Sequence, residues 1–231
     1  MRRSPATMAA LLVVAGVLCA GLIGLGIWQI QRLSWKLALI ASVEQRVHAA
    51  PIPAPGPERW ATISATQDGY RHVRAAGRYR DDATVFVQAV TERGPGFWAM
   101  TPLVSDRGFT VLINRGFVAD RRTPAGGAAS VGGLLRPSEP GGGFLRSNDP
   151  AANRWYSRDV AAIAAARRLG PVAPYFIDAE AGPPGRVPVG GLTVIRFSNN
   201  HLVYALTWFA LALMVAGAAA MLVRSQRRDA A

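Results

Sequence analysis

The sequence predicts an α+β membrane protein: two transmembrane helices, N- and C-terminal, flank a small antiparallel β-rich extracytoplasmic domain carrying one or two helices. Three observations carry that prediction. Residues 8–28 and 202–223 are free of charge, and each matches the roughly 20 apolar residues that cross a bilayer core as helix. Arginines stand outside both runs, Arg2 and Arg3 before the first and Arg224, Arg227 and Arg228 after the second. Between them the apolar period changes from helical to alternating, the mark of half-buried strands.

The arginine flanks place both termini in the cytoplasm, leaving the 172 residues 29–200 on the other side. The first run is longer than the apolar core of a signal peptide, about 7 to 15 residues. Leu18 precedes Cys19 where a lipoprotein processing site would carry glycine or alanine. The run therefore reads as an uncleaved anchor. The organisation is a cytoplasmic tail over 1–7, a transmembrane helix over 8–30, and a juxtamembrane amphipathic helix over 31–50. A proline-rich linker over 51–57, the β-rich domain over 58–198, a second transmembrane helix over 199–223 and a cytoplasmic tail over 224–231 complete it.

Half of the 231 residues are hydrophobic, and the formal net charge is +12. Most of the excess lies outside, where 21 Lys and Arg face 13 Asp and Glu over residues 29–200. Nucleic acid is not a partner in that compartment. Anionic membrane lipid, an acidic protein surface or the propionates of a porphyrin all satisfy the charge, which does not choose among them. The single cysteine, Cys19, lies within the first span, so the external domain has neither disulfides nor thiol ligands.

In the first span Gly16, Ala20 and Gly24 recur every four residues, as do Ala212, Ala216 and Ala220 in the second. Small stripes let helices approach closely in lipid, and the two spans are expected to pack through them. Trp28, Arg32, Trp35 and Lys36 then share one helical face, with Arg32 between two indoles whose faces attract its guanidinium. The prolines at 51, 53, 55 and 57 make a stiff extended linker.

Strand patterns follow at 70–77, 84–90, 97–104 and 109–118, separated by turn residues. Asn114, Arg115 and Gly116 interrupt the last, and glycine within a strand marks a bulge or a close backbone approach. Arg115 is then either re-aimed at a partner or a propionate, or held in an internal ion pair. Residues 123–143 read as mobile loops around one short strand, 130–136. Asp159 caps a helix over 160–169, and strands at 173–179 and 191–197 lead to the second span.

That span opens on Asn199, Asn200, His201, Tyr204 and Trp208. The i, i+3, i+7 spacing of His201, Tyr204 and Trp208 puts all three on one helical face at the membrane edge, and either asparagine can cap the helix. A neutral imidazole there can serve as an axial ligand to haem iron; an interfacial histidine also simply presents a polar tip to headgroups. No Gly-x-Ser-x-Gly elbow, phosphate-binding loop or His-Glu-x-x-His helix occurs, and His48 and His72 read as surface or packing residues.

Taken in order, Leu25-Gly26-x-Trp28-Gln29-x-x-Arg32-x-x-Trp35-Lys36, Pro102-Leu103, Asn114-Arg115-Gly116-Phe117-Val118 and Asn199-Asn200-His201-Leu202-x-Tyr204-Ala205-x-Thr207-Trp208-Phe209 resemble the surfeit locus protein 1 family of cytochrome c oxidase assembly factors. Asn153-x-Trp155-Tyr156-x-x-Asp159 adds a weaker match. Phe117, where the family commonly has tryptophan, and the glycine-rich loop near residues 141–143 are departures. The resemblance implies a non-enzymatic chaperone role in respiratory-chain biogenesis, around the step at which haem a enters the catalytic subunit of cytochrome c oxidase. Haem a would be a transient cofactor with His201 as the iron ligand; from the residues themselves Arg32, Arg115 and Arg196 are the candidates for its propionates, with Tyr204 and Trp208 beside it.

Trp28, Gln29, Trp35, Lys36, Asn199 and Asn200 are expected to face the oxidase subunit, with the haem a synthesis machinery as a further partner. Mitochondrial members carry a presequence that the residues before the first span do not supply, so the expected location is a bacterial plasma membrane. A contrary reading within the family is a scaffold that holds the oxidase subunit open without binding haem. The reading from another class is a membrane-anchored periplasmic hydrolase or binding module, whose pocket would draw on His72, Asp81 and Asp82.

Overall fold

The computed structural model describes residues 4–122, 125–143 and 145–228. Arg2 and Arg3, the start of the loop predicted from Thr123, and residues 229–231 of the second tail lie outside them. The chain divides into two compact units, one formed by residues up to 42 and from 196 onward, the other by Val43–Ile195.

The first unit is helical. Helix α1 runs unbroken over Pro5–His48, so the predicted membrane and juxtamembrane helices are one element. Ser4 starts it: its hydroxyl accepts the Thr7 N–H at 3.2 Å, and Pro5 occupies the first turn, where a missing N–H costs nothing. Helix α4, named here for its place after α2 (Ala65–Asp68) and α3 (Val160–Ala166), spans His201–Arg228. Both α1 and α4 are long and apolar enough to cross a membrane.

The second unit is a seven-stranded sheet: β1 (Ile52–Pro53), β2 (His72–Tyr79), β3 (Val85–Thr91), β4 (Gly94–Ser105), β5 (Thr110–Val118), β6 (Ala128–Pro137) and β7 (Val172–Ala179). Their order is β1-β2-β6-β7-β5-β4-β3, and β2 also pairs with the far end of β4. That extra pairing closes β2, β6, β7, β5 and β4 into a ring, so that these five strands pair on both sides while β1 and β3 stay at the ends of the order. Gly77 permits the closure, since a Cβ there would lie 2.1 Å from the Val104 carbonyl oxygen. Most pairings are antiparallel; β1 with β2 and β5 with β7 are parallel.

Alternation along the strands makes two cores. Val73, Leu103, Val111, Ile113, Leu135, Tyr175 and Ile177 point inward and fill the barrel. The intervening residues Val85, Val87, Met100, Leu112 and Phe176 pack outside it against Trp155 and the Val160 and Ile163 face of α3. Asp159 caps α3 as predicted, its carboxylate accepting the Ala162 N–H at 3.1 Å. The helix is shorter than the 160–169 expectation because Arg168, not a glycine, takes the left-handed conformation (φ +51°) that ends it.

The short strand expected at 130–136 forms and is longer, the ten-residue β6, paired on both sides. Two expectations need correction. Residues 191–197 form no strand, although their alternation suggests one. The stretch 51–57 is extended but not a free spacer: Ala54 donates to the Arg74 carbonyl at 2.8 Å, and the Pro55 carbonyl accepts from buried Tyr175 at 2.7 Å and from Trp60 at 3.2 Å.

Candidate functional site

Along α1 the shielded positions step by four and three through Ala15, Cys19, Leu22, Gly26, Gln29, Leu33 and Lys36; along α4 they do so through His201, Ala205, Trp208, Ala212, Val215, Ala219 and Leu222. This is the seam of an antiparallel helix pair, since a seven-residue repeat keeps one face of each helix turned to the other. Cys19 Sγ lies 3.7 Å from the Ala212 carbonyl oxygen, and a Cβ on Gly26 would lie 2.5 Å from the Phe209 ring. The helices pack together as expected, but of the six residues in the expected stripes Ala212 alone lies on the seam. Gly16 and Gly24 have open space beside them, while Ala20, Ala216 and Ala220 are exposed.

Polar groups gather where the seam reaches the first turns of α4. His201 Nδ1 sits 2.7 Å from Gln29 Oε1, and Gln29 is only 9% exposed. With the amide oxygen facing the ring, Nδ1–H donates, and in the neutral ring of that tautomer Nε2 carries the lone pair. Seven residues on, Trp208 is also on the seam, its indole Nε1 buried without a hydrogen-bond partner among the described residues, as is Asn199 Oδ1. Each such orphan costs about 1–3 kcal/mol unless something meets it. Asn199 therefore does not cap α4 through that oxygen. The first helical bond runs instead from the Tyr204 N–H to the Asn200 carbonyl at 3.1 Å.

Tyr204 departs from the expected common face: it points away from the seam and is 53% exposed. Trp28 and Trp35 are likewise half exposed, whereas Lys36 lies on the seam side with its Nζ 5.3 Å from the centre of the Phe197 ring. Arg32 stacks on Trp35 at 4.7 Å, and Arg196 and Asn200 are exposed. The helical unit thus brings together His201, Gln29 and Trp208, with Arg32, Lys36 and Asn199 within a turn or two along the chain.

Arg115 belongs to the sheet unit, and there the internal ion pair is the reading that holds. Its guanidinium meets Asp81 at 3.3 Å, donates to the Ala125 carbonyl, and lies 4.3 Å over the Tyr79 ring. Burial lowers the Arg115 pKa, partly offset by Tyr79 and Asp81; burial raises that of Tyr79, partly offset by Arg115. Gly116 shows the close approach its place in a strand implied. At φ +124° its Cα faces Val189, whose carbonyl oxygen would stand 2.2 Å from any Cβ.

A second polar cluster, on the outer face of β5, β6 and β7, was not singled out from the sequence. Buried Asp178 accepts from Asn114 at 2.8 Å, Arg136 at 2.9 Å, Arg158 at 3.1 Å and Thr193 at 2.9 Å. Glu139 takes the other donors of both arginines at 2.7–3.1 Å. Asn114, Arg136, Arg158, Asp178 and Thr193 line a cavity of about 220 Å³ with Gly190. Two guanidiniums face two carboxylates, so the cluster is neutral and satisfied. Its arginines carry no surplus charge for a ligand.

The hydrolase pocket does not form. His72 is engaged by Glu180 and the Ala49 carbonyl, Asp81 by Arg115, and Asp82 by Arg80 at 3.0 Å. His72 opens β2 and Asp81 follows its end, so an eight-residue strand, about 25 Å long, separates them. His48 is exposed beside Glu44. Among the described residues, no three His, Cys, Asp or Glu side chains gather as a metal-binding group. His201 alone suits only a metal that brings its other ligands with it, as a porphyrin does. An imidazole held through Nδ1, an unmet indole N–H and cations stacked on rings form a donor set that fits such a group.

The model of the SURF1 family matches residues 16–213, a span that includes the whole sheet unit, most of α1 and the first half of α4. Surfeit locus protein 1 of Mus musculus is 34% identical over 215 residues, covering 81% of this chain and 67% of its own length. The protein of the same name from Homo sapiens is 33% identical over 216 residues, with 81% and 69% covered. A SURF1-like protein of Monosiga brevicollis is 34% identical over 211 residues, with 81% and 78% covered. On these matches, in family and along nearly the full chain, the protein belongs to the SURF1 family.

Proposed function

We propose that this chain is an assembly factor for haem-copper cytochrome c oxidase and acts where haem a enters the catalytic subunit. The oxidase role rests on the family. The haem role rests on one observation, the Gln29 contact to His201 Nδ1, which leaves Nε2 as an available ligand at the polar end of an otherwise apolar helix pair. In this reading His201 holds the iron through Nε2, and Arg32 and Arg196 meet the propionates. The Trp208 N–H answers a carbonyl or carboxylate oxygen. Bound iron would supply the Lewis-acid centre that an imidazole recognises; everything else is holding and release.

Arg115 is not part of this site, since Asp81 and Tyr79 already engage it. The half-exposed Trp28, Trp35 and Tyr204 offer rigid aromatic area to the catalytic subunit, and the haem a synthesis machinery is the second partner. No catalytic step is assigned to the chain. Arg224, Arg227 and Arg228 in the last turns of α4 support an orientation with both termini cytoplasmic, in the bacterial plasma membrane of this reading, which reporter fusions at each end test.

Co-expression with haem a synthesis tests the central claim. The purified chain is expected to show a Soret band that His201→Ala abolishes. A chain without the band, or a band unchanged in His201→Ala, removes the ligand role and leaves a scaffold that holds the subunit without touching haem.

A further inference from the structure

Gln29 is out of place by composition. It occupies a seam position of α1 between Gly26 and Leu33, nine-tenths buried, where leucine would pack without a polar group to satisfy. Burying an amide in apolar surroundings is unfavourable unless it is hydrogen-bonded, and the bond it makes is to the one histidine of the helical unit. The chemistry of that bond is directional. An amide oxygen only accepts, so of the two neutral imidazole tautomers it matches the one with the proton on Nδ1, in which Nε2 carries the lone pair. A partner on the non-ligating nitrogen also fixes ring orientation and raises the basicity of the other nitrogen.

We infer that Gln29 is a positioning residue for His201: through Nδ1 it holds the ring in the one tautomer, and near the one orientation, in which Nε2 can bind a metal. Gln29 then acts on the ligand through Nδ1 rather than being a helix-pairing contact that happens to touch it. This rests on the haem reading only for its second half, because the tautomer exists with or without haem.

The test has two arms on the full chain in lipid nanodiscs. In the first, without haem, ¹⁵N resonances of labelled His201 report the tautomer. The wild type is expected to be protonated at Nδ1, and Gln29→Leu to shift toward protonation at Nε2. A wild type protonated at Nε2, or a tautomer unchanged in Gln29→Leu, overturns the inference. In the second arm haem a is loaded and its midpoint potential and dissociation rate are read.

Gln29→Leu is expected to weaken retention by about 10- to 100-fold, the usual effect of removing a partner of a metal ligand, and to raise the potential. Gln29→Glu, which pulls harder on the Nδ1 proton, is expected to lower it. A role confined to helix pairing predicts no such opposite shifts. Oxidative crosslinking of native Cys19 to a cysteine at Ala212→Cys checks that the pair still forms in each variant. A wild type that takes up no haem defeats the haem reading and the ligand half together, while the tautomer arm still decides the hydrogen bond.

Discussion

Asp178→Asn removes one charge from the most connected buried group in the sheet unit while keeping its volume. Asp178 is 4% exposed and accepts four hydrogen bonds between 2.8 and 3.1 Å, two of them from guanidiniums. In the wild type Asp178 and Glu139 balance Arg136 and Arg158; in the variant one buried cation is left without its counter-charge, and an amide N–H₂ is turned toward donors. Breaking a buried pair from one side costs about 3–5 kcal/mol. The Arg136 and Arg158 side chains are 16% and 14% exposed, so residual solvation places the expected loss near the lower end, about 3 kcal/mol. Against a typical stability of about 5–15 kcal/mol that is a large fraction. The assay is denaturant unfolding in mild detergent followed by near-ultraviolet circular dichroism, which reads the packing of Trp155 and Phe176 beside the cluster. Adding Arg136→Gln to Asp178→Asn should cost less than the sum of the single changes, because the second substitution removes the cation that the first stranded. A loss below about 1 kcal/mol, or strict additivity, would refute the account of this cluster as one coupled unit.

Gly116→Ala meets both a positive φ and the Val189 carbonyl, and is expected to destabilise the sheet unit by at least about 2 kcal/mol in the same unfolding assay. Native Cys19 should form an intrachain disulfide on oxidation with a cysteine at Ala212→Cys, detected by a mobility shift on gels, whereas cysteines at Ala20 and Ala216 should not pair. Tyr79 and Tyr175 have folded-state pKa values raised by burial, so the stability they contribute is complete below the ordinary tyrosine value of about 10 and falls as pH rises toward their folded values. Unfolding should therefore set in above about pH 10, and Tyr175→Phe, which loses the bond to Pro55 at about 1 kcal/mol in neutral buffer, should blunt that alkaline fall, as pH-dependent circular dichroism reads.

The elements themselves were legible because their signals are local. Two long uncharged runs make α1 and α4, period-two alternation marks six of the seven strands, and the Asp159 cap announces α3. The resemblance to the family was equally local, carried by short motifs at the start and end of the chain. Alternation alone misled at 191–197, because a strand exists only where a neighbour offers its backbone. The proline-rich stretch misled for the related reason that extended backbone looks the same whether free or docked on a barrel.

What the tertiary structure alone decided is which faces meet. Small residues lie on several sides of both helices, so sequence could not choose the stripe. The phase of the four-and-three step chose it, placing Gln29 against His201 across 172 positions of chain. The same holds for Asp178, whose four partners come from 15 to 64 residues away. A charged residue inside a predicted strand was the one available hint, and it could not name a partner. The sequence by itself thus determined the two membrane helices, the strand set, the family and the chemical oddity of His201. The fold decided that Arg115 is an internal pair, that Asp178 organises the outer face of the barrel, and that Gln29 holds the imidazole, because contacts between distant segments depend on packing geometry that no local pattern encodes.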